Sequence, residues 1–141
     1  MAERAVGLLS VELIGALHTV QEQLEAGLEP LGLSLAKLGL LSKLVEAGGP
    51  LPLGTLAERC ACVRSNITQL VDRLEAEKLV ARSDDPRDRR SVRAELTAEG
   101  RSRYAAGIRA LEKAENGVLA RFPRQQRDTF LELLRALRGA H

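Results

Sequence analysis

At 141 residues the chain has room for one domain with a proper core and too little for two independent ones. Apolar residues reach 45%, which argues against disorder, while aromatics supply only 2%, so Leu, Val, Ile and Ala must build the interior. The net charge of +2 is unevenly spread: Arg59 to Arg103 holds eleven Lys/Arg against eight Asp/Glu, a local +3, so a polyanionic partner is expected at the middle of the chain.

Ala5, Leu8, Leu9, Ile14, Leu17, Val20, Leu24 and Leu28 recur at three- and four-residue spacing and predict one long helix that stops near Glu29-Pro30. Its apolar stripe is wider than a small helical core can cover, which points to a second chain. Glu3 and Arg4 open this segment where a signal peptide would carry an apolar block. No stretch approaches the roughly 18 apolar residues of a membrane span, so a cytoplasmic location without membrane contact is expected. Cys60 and Cys62, too close for an ordinary stabilising bridge, fit a reducing compartment.

Ser34 is an N-cap candidate for a second helix carrying Leu35, Leu38, Leu41 and Val45, which Gly48-Gly49-Pro50 ends. Leu53 to Arg59 predicts a short third helix and Ala61 to Val63 a tight turn. A fourth helix follows from about Arg64 to Glu77. Ile67, Leu70, Val71 and Leu74 give that helix its inner face and turn Ser65, Thr68, Gln69 and Asp72 outward, with Arg64 and Arg73 on the flanks. Leu79 to Arg82 and Val92 to Leu96 then read as two short strands joined by a long, protruding, charged loop, Ser83 to Ser91. Thr97 caps a fifth helix with Tyr104, Ile108, Leu111, Ala114, Val118 and Leu119, interrupted at Pro123. A final amphipathic helix carries Phe130, Leu131, Leu134 and Leu137.

Two helices joined by a tight turn, the second exposing small hydrogen-bonding side chains, have the form of a helix-turn-helix, and a B-DNA major groove admits one such helix. An arginine-rich loop one helix away has the reach to contact phosphates or an adjacent minor groove. The bland alternatives are a solvated helix face and a solvated mixed-charge loop.

At these residues the chain resembles the MarR family (multiple antibiotic resistance regulators). The resemblance is carried by LAERCACVRSNITQLVDRLEAEKLVARSDDPRDRRSVRAELTAEG, with its runs TQLVDRLE, DPRDRR and LTAEG, and the flanking helices extend it over essentially the whole chain. It implies a mostly α fold with a small β-wing: a winged helix-turn-helix lobe over 34–96, flanked by dimerisation helices over 1–30 and 98–141 in a single domain. It further implies an obligate homodimer on a pseudo-palindromic DNA operator. DNA contacts are expected from Arg64, Ser65, Asn66, Thr68, Gln69 and Arg73 on the helix and from Arg87, Arg89, Arg90 and Ser91 on the wing. Asp72, Asp85 and Asp88 are expected to brace the wing. Arg90 matches the family's wing arginine, Asp88 the acid that holds it, and Asp72 an aspartate that pairs with it from the helix. An unpaired Asp72 on the DNA side would repel phosphate, and an arginine partner would cancel that repulsion. Val63 departs from the family's usual Ser or Thr before the recognition helix and cannot cap it.

Cys60 and Cys62 stand where Leu and Val are usual in the family, and they read either as small core residues or as a redox switch. The family's peroxide sensors carry their cysteine in the first helix, which here has none. With histidines only at His18 and His141, and no H-x-x-x-H or C-x-x-C, no metal site is expected. No nucleophile has a paired base and no glycine loop suits a phosphate, so neither catalytic residues nor a cofactor are expected. His18 is a candidate for lining an effector pocket, with a small apolar or anionic ligand and an aliphatic rather than aromatic lining expected. The combined expectation is a dimeric repressor released by a small-molecule effector. A helical protein-interaction module and a constitutive DNA binder without effector stay open beside it.

Overall fold

The computed structural model describes residues 2–60 and 64–139, the side chains of 2–6, 64 and 65 excepted. The element order is α1 (Ala2–Leu28), a 3-10 turn (Glu29–Leu31), α2 (Leu35–Ala47), β1 (Leu51–Pro52), α3 (Leu53–Arg59), α4 (Arg64–Ala76), β2 (Val80–Asp85), β3 (Asp88–Leu96), α5 (Ala98–Leu119) and α6 (Arg124–Leu137). The mostly helical architecture with a small antiparallel wing is the expected one. The tight turn expected at Ala61 to Val63 lies outside the described residues.

Local chemistry sets most boundaries. The Ser34 side chain accepts a hydrogen bond from the Lys37 amide at 3.1 Å and so starts α2, and Gly48, at φ 71°, ends it in the left-handed conformation that costs glycine nothing. Thr97 caps α5 by accepting from the Gly100 amide at 2.9 Å. The end of α4 is less comfortable. The amide of Leu79 donates to Leu74 and that of Lys78 to Glu75, both at 2.9 Å, a closing pattern that places Lys78 at φ 64° where glycine is the usual occupant.

The interior is aliphatic, as the composition requires. Leu28, Leu38, Leu41, Leu44 and Leu56 from the first three helices meet Ile67, Val71 and Leu74 of α4, and Leu79, Val80 and Ala94 close the wing side. Helix α5 leans on this core through Tyr104, Ile108 and Leu111. It approaches closely at two glycines. A Cβ at Gly107 would lie 2.7 Å from Leu33, and one at Gly100 only 1.9 Å from the Leu79 carbonyl oxygen. That same carbonyl accepts the Thr97 amide at 3.1 Å and the Thr97 hydroxyl at 3.0 Å, which pins the start of α5 to the start of β2.

The sheet has the order β1-β3-β2 and is antiparallel throughout. Two features differ from the sequence expectation. β1 pairs Leu51 with Ala94 and Pro52 with Arg93; a two-residue edge strand containing a proline has no local signature and exists only because β3 is there to receive it. In addition, the segment expected as a long loop is mostly strand. Pairing continues from Val80↔Leu96 to Asp84↔Val92, then shifts register and ends at Asp85↔Asp88, leaving Pro86 and Arg87 as the turn. Cross-strand pairing overrides the poor strand propensity of this charged stretch.

The two ends of the molecule are unlike the core. Residues 7–19 of α1 are exposed throughout, and α6 has no buried residue. Large apolar side chains on both helices face outward, Leu9 at 69% and Leu137 at 67% among them. Among the described residues no helix is long and apolar enough to cross a membrane.

Candidate nucleic-acid interface

Helix α4 has a strict division of faces. Ile67, Val71 and Leu74 are fully buried and Leu70 is half-buried, while Asn66, Thr68, Gln69, Asp72 and Arg73 are exposed. The backbone of Arg64 and Ser65 forms the first turn of the helix, but their side chains, like Cys62 and Val63, lie outside the described residues. Cys60, at the end of α3, packs against the core.

The wing's acids act on its backbone. An Asp85 carboxylate oxygen accepts the Arg87 amide at 2.9 Å, and an Asp88 oxygen accepts the Arg90 amide at 3.0 Å. Short carboxylates that bond an amide two residues on stabilise tight turns, so both aspartates shape the tip. Asp88 was expected to hold the Arg90 side chain; the bond observed is to the Arg90 amide. Arg87, Arg89 and Arg90 are exposed at the tip and Ser91 is half-buried behind them.

The bond between helix and wing is not the expected one. Asp72 pairs with Arg82 on β2 rather than with Arg90. The reason is position: Arg82 stands opposite Ala94, on the sheet face that looks onto α4, whereas Arg90 lies far out along the ribbon near its tip. Arg82 makes three further contacts with the same helix. Its guanidinium donates to Glu75 at 3.1 Å and to the Thr68 carbonyl at 3.3 Å, and its amide donates to Glu75 at 3.2 Å. With its side chain 24% exposed, it is shielded enough for a fork of charge-assisted bonds to matter. Sequence reasoning missed both Arg82 and Glu75. The available signal was the pair Asp72 and Glu75, two carboxylates at a spacing of three on one helix edge, with an arginine on the strand that follows.

These elements place a polar helix face beside an arginine-tipped ribbon and lock the angle between them. The clamp also neutralises two carboxylates that would otherwise face the same solvent as the arginines. A surface of this kind suits a polyanion with grooves: the helix has the width to enter one, and the ribbon has the charge to follow the backbone.

His18 lies elsewhere, on α1. It is 74% exposed and contacts Glu22 at 3.0 Å. Together with Glu25, Glu29, Leu33 and Ser34 it lines an open cavity of about 510 Å³. Three glutamates around that space disfavour an anionic occupant. A larger cavity of about 720 Å³ runs between α1, α5 and α6, lined by Val20, Leu24, Val118 and Leu119 but also by Phe122 and Phe130. The two rings stack with centroids 6.2 Å apart, so this lining is more aromatic than the composition suggested.

Comparison with known proteins agrees with this architecture. The MarR family pattern matches residues 33–92, which span the first helix of the lobe through the wing. The HTH-type transcriptional repressor MdtR of Bacillus subtilis is 30% identical over 70% of this chain and 63% of its own length. The uncharacterised HTH-type transcriptional regulator YhbI of the same organism is 29% identical over 99% of this chain and 91% of its own. Four of the curated relatives, MdtR among them, are spanned over only 44 to 63% of their length. Among solved structures, a MarR family transcriptional regulator from Streptomyces coelicolor in complex with DNA superposes with a TM-score of 0.81 at 28% identity, covering 93% of this chain and 87% of that one.

Proposed function

Because this chain belongs to the MarR family, we propose that it is a cytoplasmic transcriptional regulator, a repressor that binds a pseudo-palindromic operator as a homodimer. The observation that carries the proposal is the clamped pair of α4 and the arginine-tipped β2–β3 ribbon. Helix α4 enters the major groove, and Arg89 and Arg90 follow phosphates into the adjacent minor groove. Two lobes related by a twofold axis would read half-sites centred about 10 base pairs apart. The uncovered apolar faces of α1 and α6 supply the material for the second copy, since contiguous exposed patches of this kind mark interfaces. An effector that binds better to a dimer with the wrong lobe spacing would release DNA by linkage, and the cavity beside His18 is a place for it next to the start of α2.

The test is a fluorescence titration of the full chain against a duplex carrying its own upstream region and against a scrambled duplex, over a salt series. Sequence-dependent binding with a steep salt slope is expected. Arg90→Ala should lower affinity about tenfold and reduce the slope by about one. Equal binding to both duplexes overturns the operator reading, and wild-type affinity in Arg90→Ala overturns the wing's role.

A further inference from the structure

We infer that one edge of α4, the stripe Asn66, Gln69 and Arg73, reads bases, and that it selects adenines at the two amides and guanine at the arginine. This rests on the DNA-binding function proposed above and specifies its target. At about 100° per residue, Thr68, Asp72 and Glu75 occupy an arc about 60° wide, and Asn66, Gln69 and Arg73 occupy another of about 60°, centred about 125° away. The first arc faces the wing: Arg82 takes the carboxylates of Asp72 and Glu75 and the main-chain carbonyl of Thr68, a contact that does not involve the Thr68 side chain. The second arc is exposed, and among the described residues no side chain pairs with these three.

The division decides the chemistry. A carboxylate on a reading helix would accept from the amino group of cytosine, but the carboxylates of α4 nearest the outward face are held by Arg82. Along the second arc stand two carboxamides, which donate to N7 and accept from the N6 amino group of adenine, and one guanidinium, which donates to both O6 and N7 of guanine. Asn66 and Arg73 are separated by seven residues, about 10 Å of helix rise or roughly three base-pair steps. The half-site therefore holds its adenine and guanine positions within about four consecutive base pairs.

The experiment is selection from a duplex library with a randomised central segment, followed by sequencing, using the full chain as wild type, Asn66→Ala, Gln69→Ala and Arg73→Ala. Wild type should enrich two A·T positions and one G·C position in each half-site. Each alanine variant should flatten its own position, losing a preference of about tenfold, and leave the others intact. The inference is overturned if wild type enriches other bases or if the three alanine variants keep the wild-type pattern. A wild-type protein that enriches no sequence at all instead removes the operator-binding proposal beneath it.

Discussion

The winged lobe and the helical arms solve the same problem in opposite ways. The lobe has little aromatic surface, yet it buries an aliphatic core from five elements and pairs several of its charged groups internally, through the clamp at Arg82 and the Lys37–Glu77 pair that ties α2 to the end of α4. The arms have more large apolar side chains than they can cover. Leu8, Leu9, Ile14 and Leu17 on α1, and Leu131 and Leu134 on α6, all point to solvent within one chain. In the proposed homodimer the second copy covers the arms and not the lobe, so the stability of the two regions should depend differently on protein concentration.

That contrast can be broken most directly at α6. Leu131→Glu with Leu134→Glu places two charges in the apolar face, and the dissociation constant of the proposed dimer should rise about a thousandfold while the lobe stays folded. Sedimentation velocity paired with circular dichroism checks both halves of this statement, and an unchanged dimer would return α6 to being a solvated helix. Next in size is Gly100→Ala at the junction of the regions. A Cβ there meets the Leu79 carbonyl at 1.9 Å, so α5 must move off the wing, at a cost of about 3 kcal/mol in a urea melt. The smallest effect belongs wholly to the lobe. Lys78→Gly removes the strain of a left-handed lysine and should stabilise by about 1 kcal/mol, read as a higher melting temperature with DNA affinity unchanged.

Legibility in the sequence followed the range of the interactions involved. The short helix α3 and the caps Ser34 and Thr97 were readable because each depends on neighbours within four residues. The inner face of α4 was readable because Ile67, Val71 and Leu74 keep a helical period. β1 was not, since two residues gain strand geometry only from a partner some forty positions on. The ribbon was misread as a loop because Asp84, Asp85, Asp88 and Arg89 break the alternation that marks a strand, and only pairing with the opposite strand makes them one. For the clamp, the sequence showed that Asp72 needs a cation but offered several arginines within reach. The choice of Arg82 over Arg90 depends on which face of β2 lies against α4, a matter of register that the sequence leaves open.

The single carbonyl of Leu79 gives the molecule a mechanical property. It receives the backbone and the hydroxyl of Thr97 and lies against Gly100, so the first turn of α5 has no slack relative to the wing. Helix α5 has 22 residues, about 33 Å of nearly inextensible rod. Each degree of tilt at its far end then translates into about 0.6 Å at the near end, so that about six degrees amounts to a whole base-pair step of about 3.4 Å. In the proposed regulator the helix would act as a lever with a welded joint, so that a tilt of a few degrees among the arms would carry the lobe into or out of register with a groove.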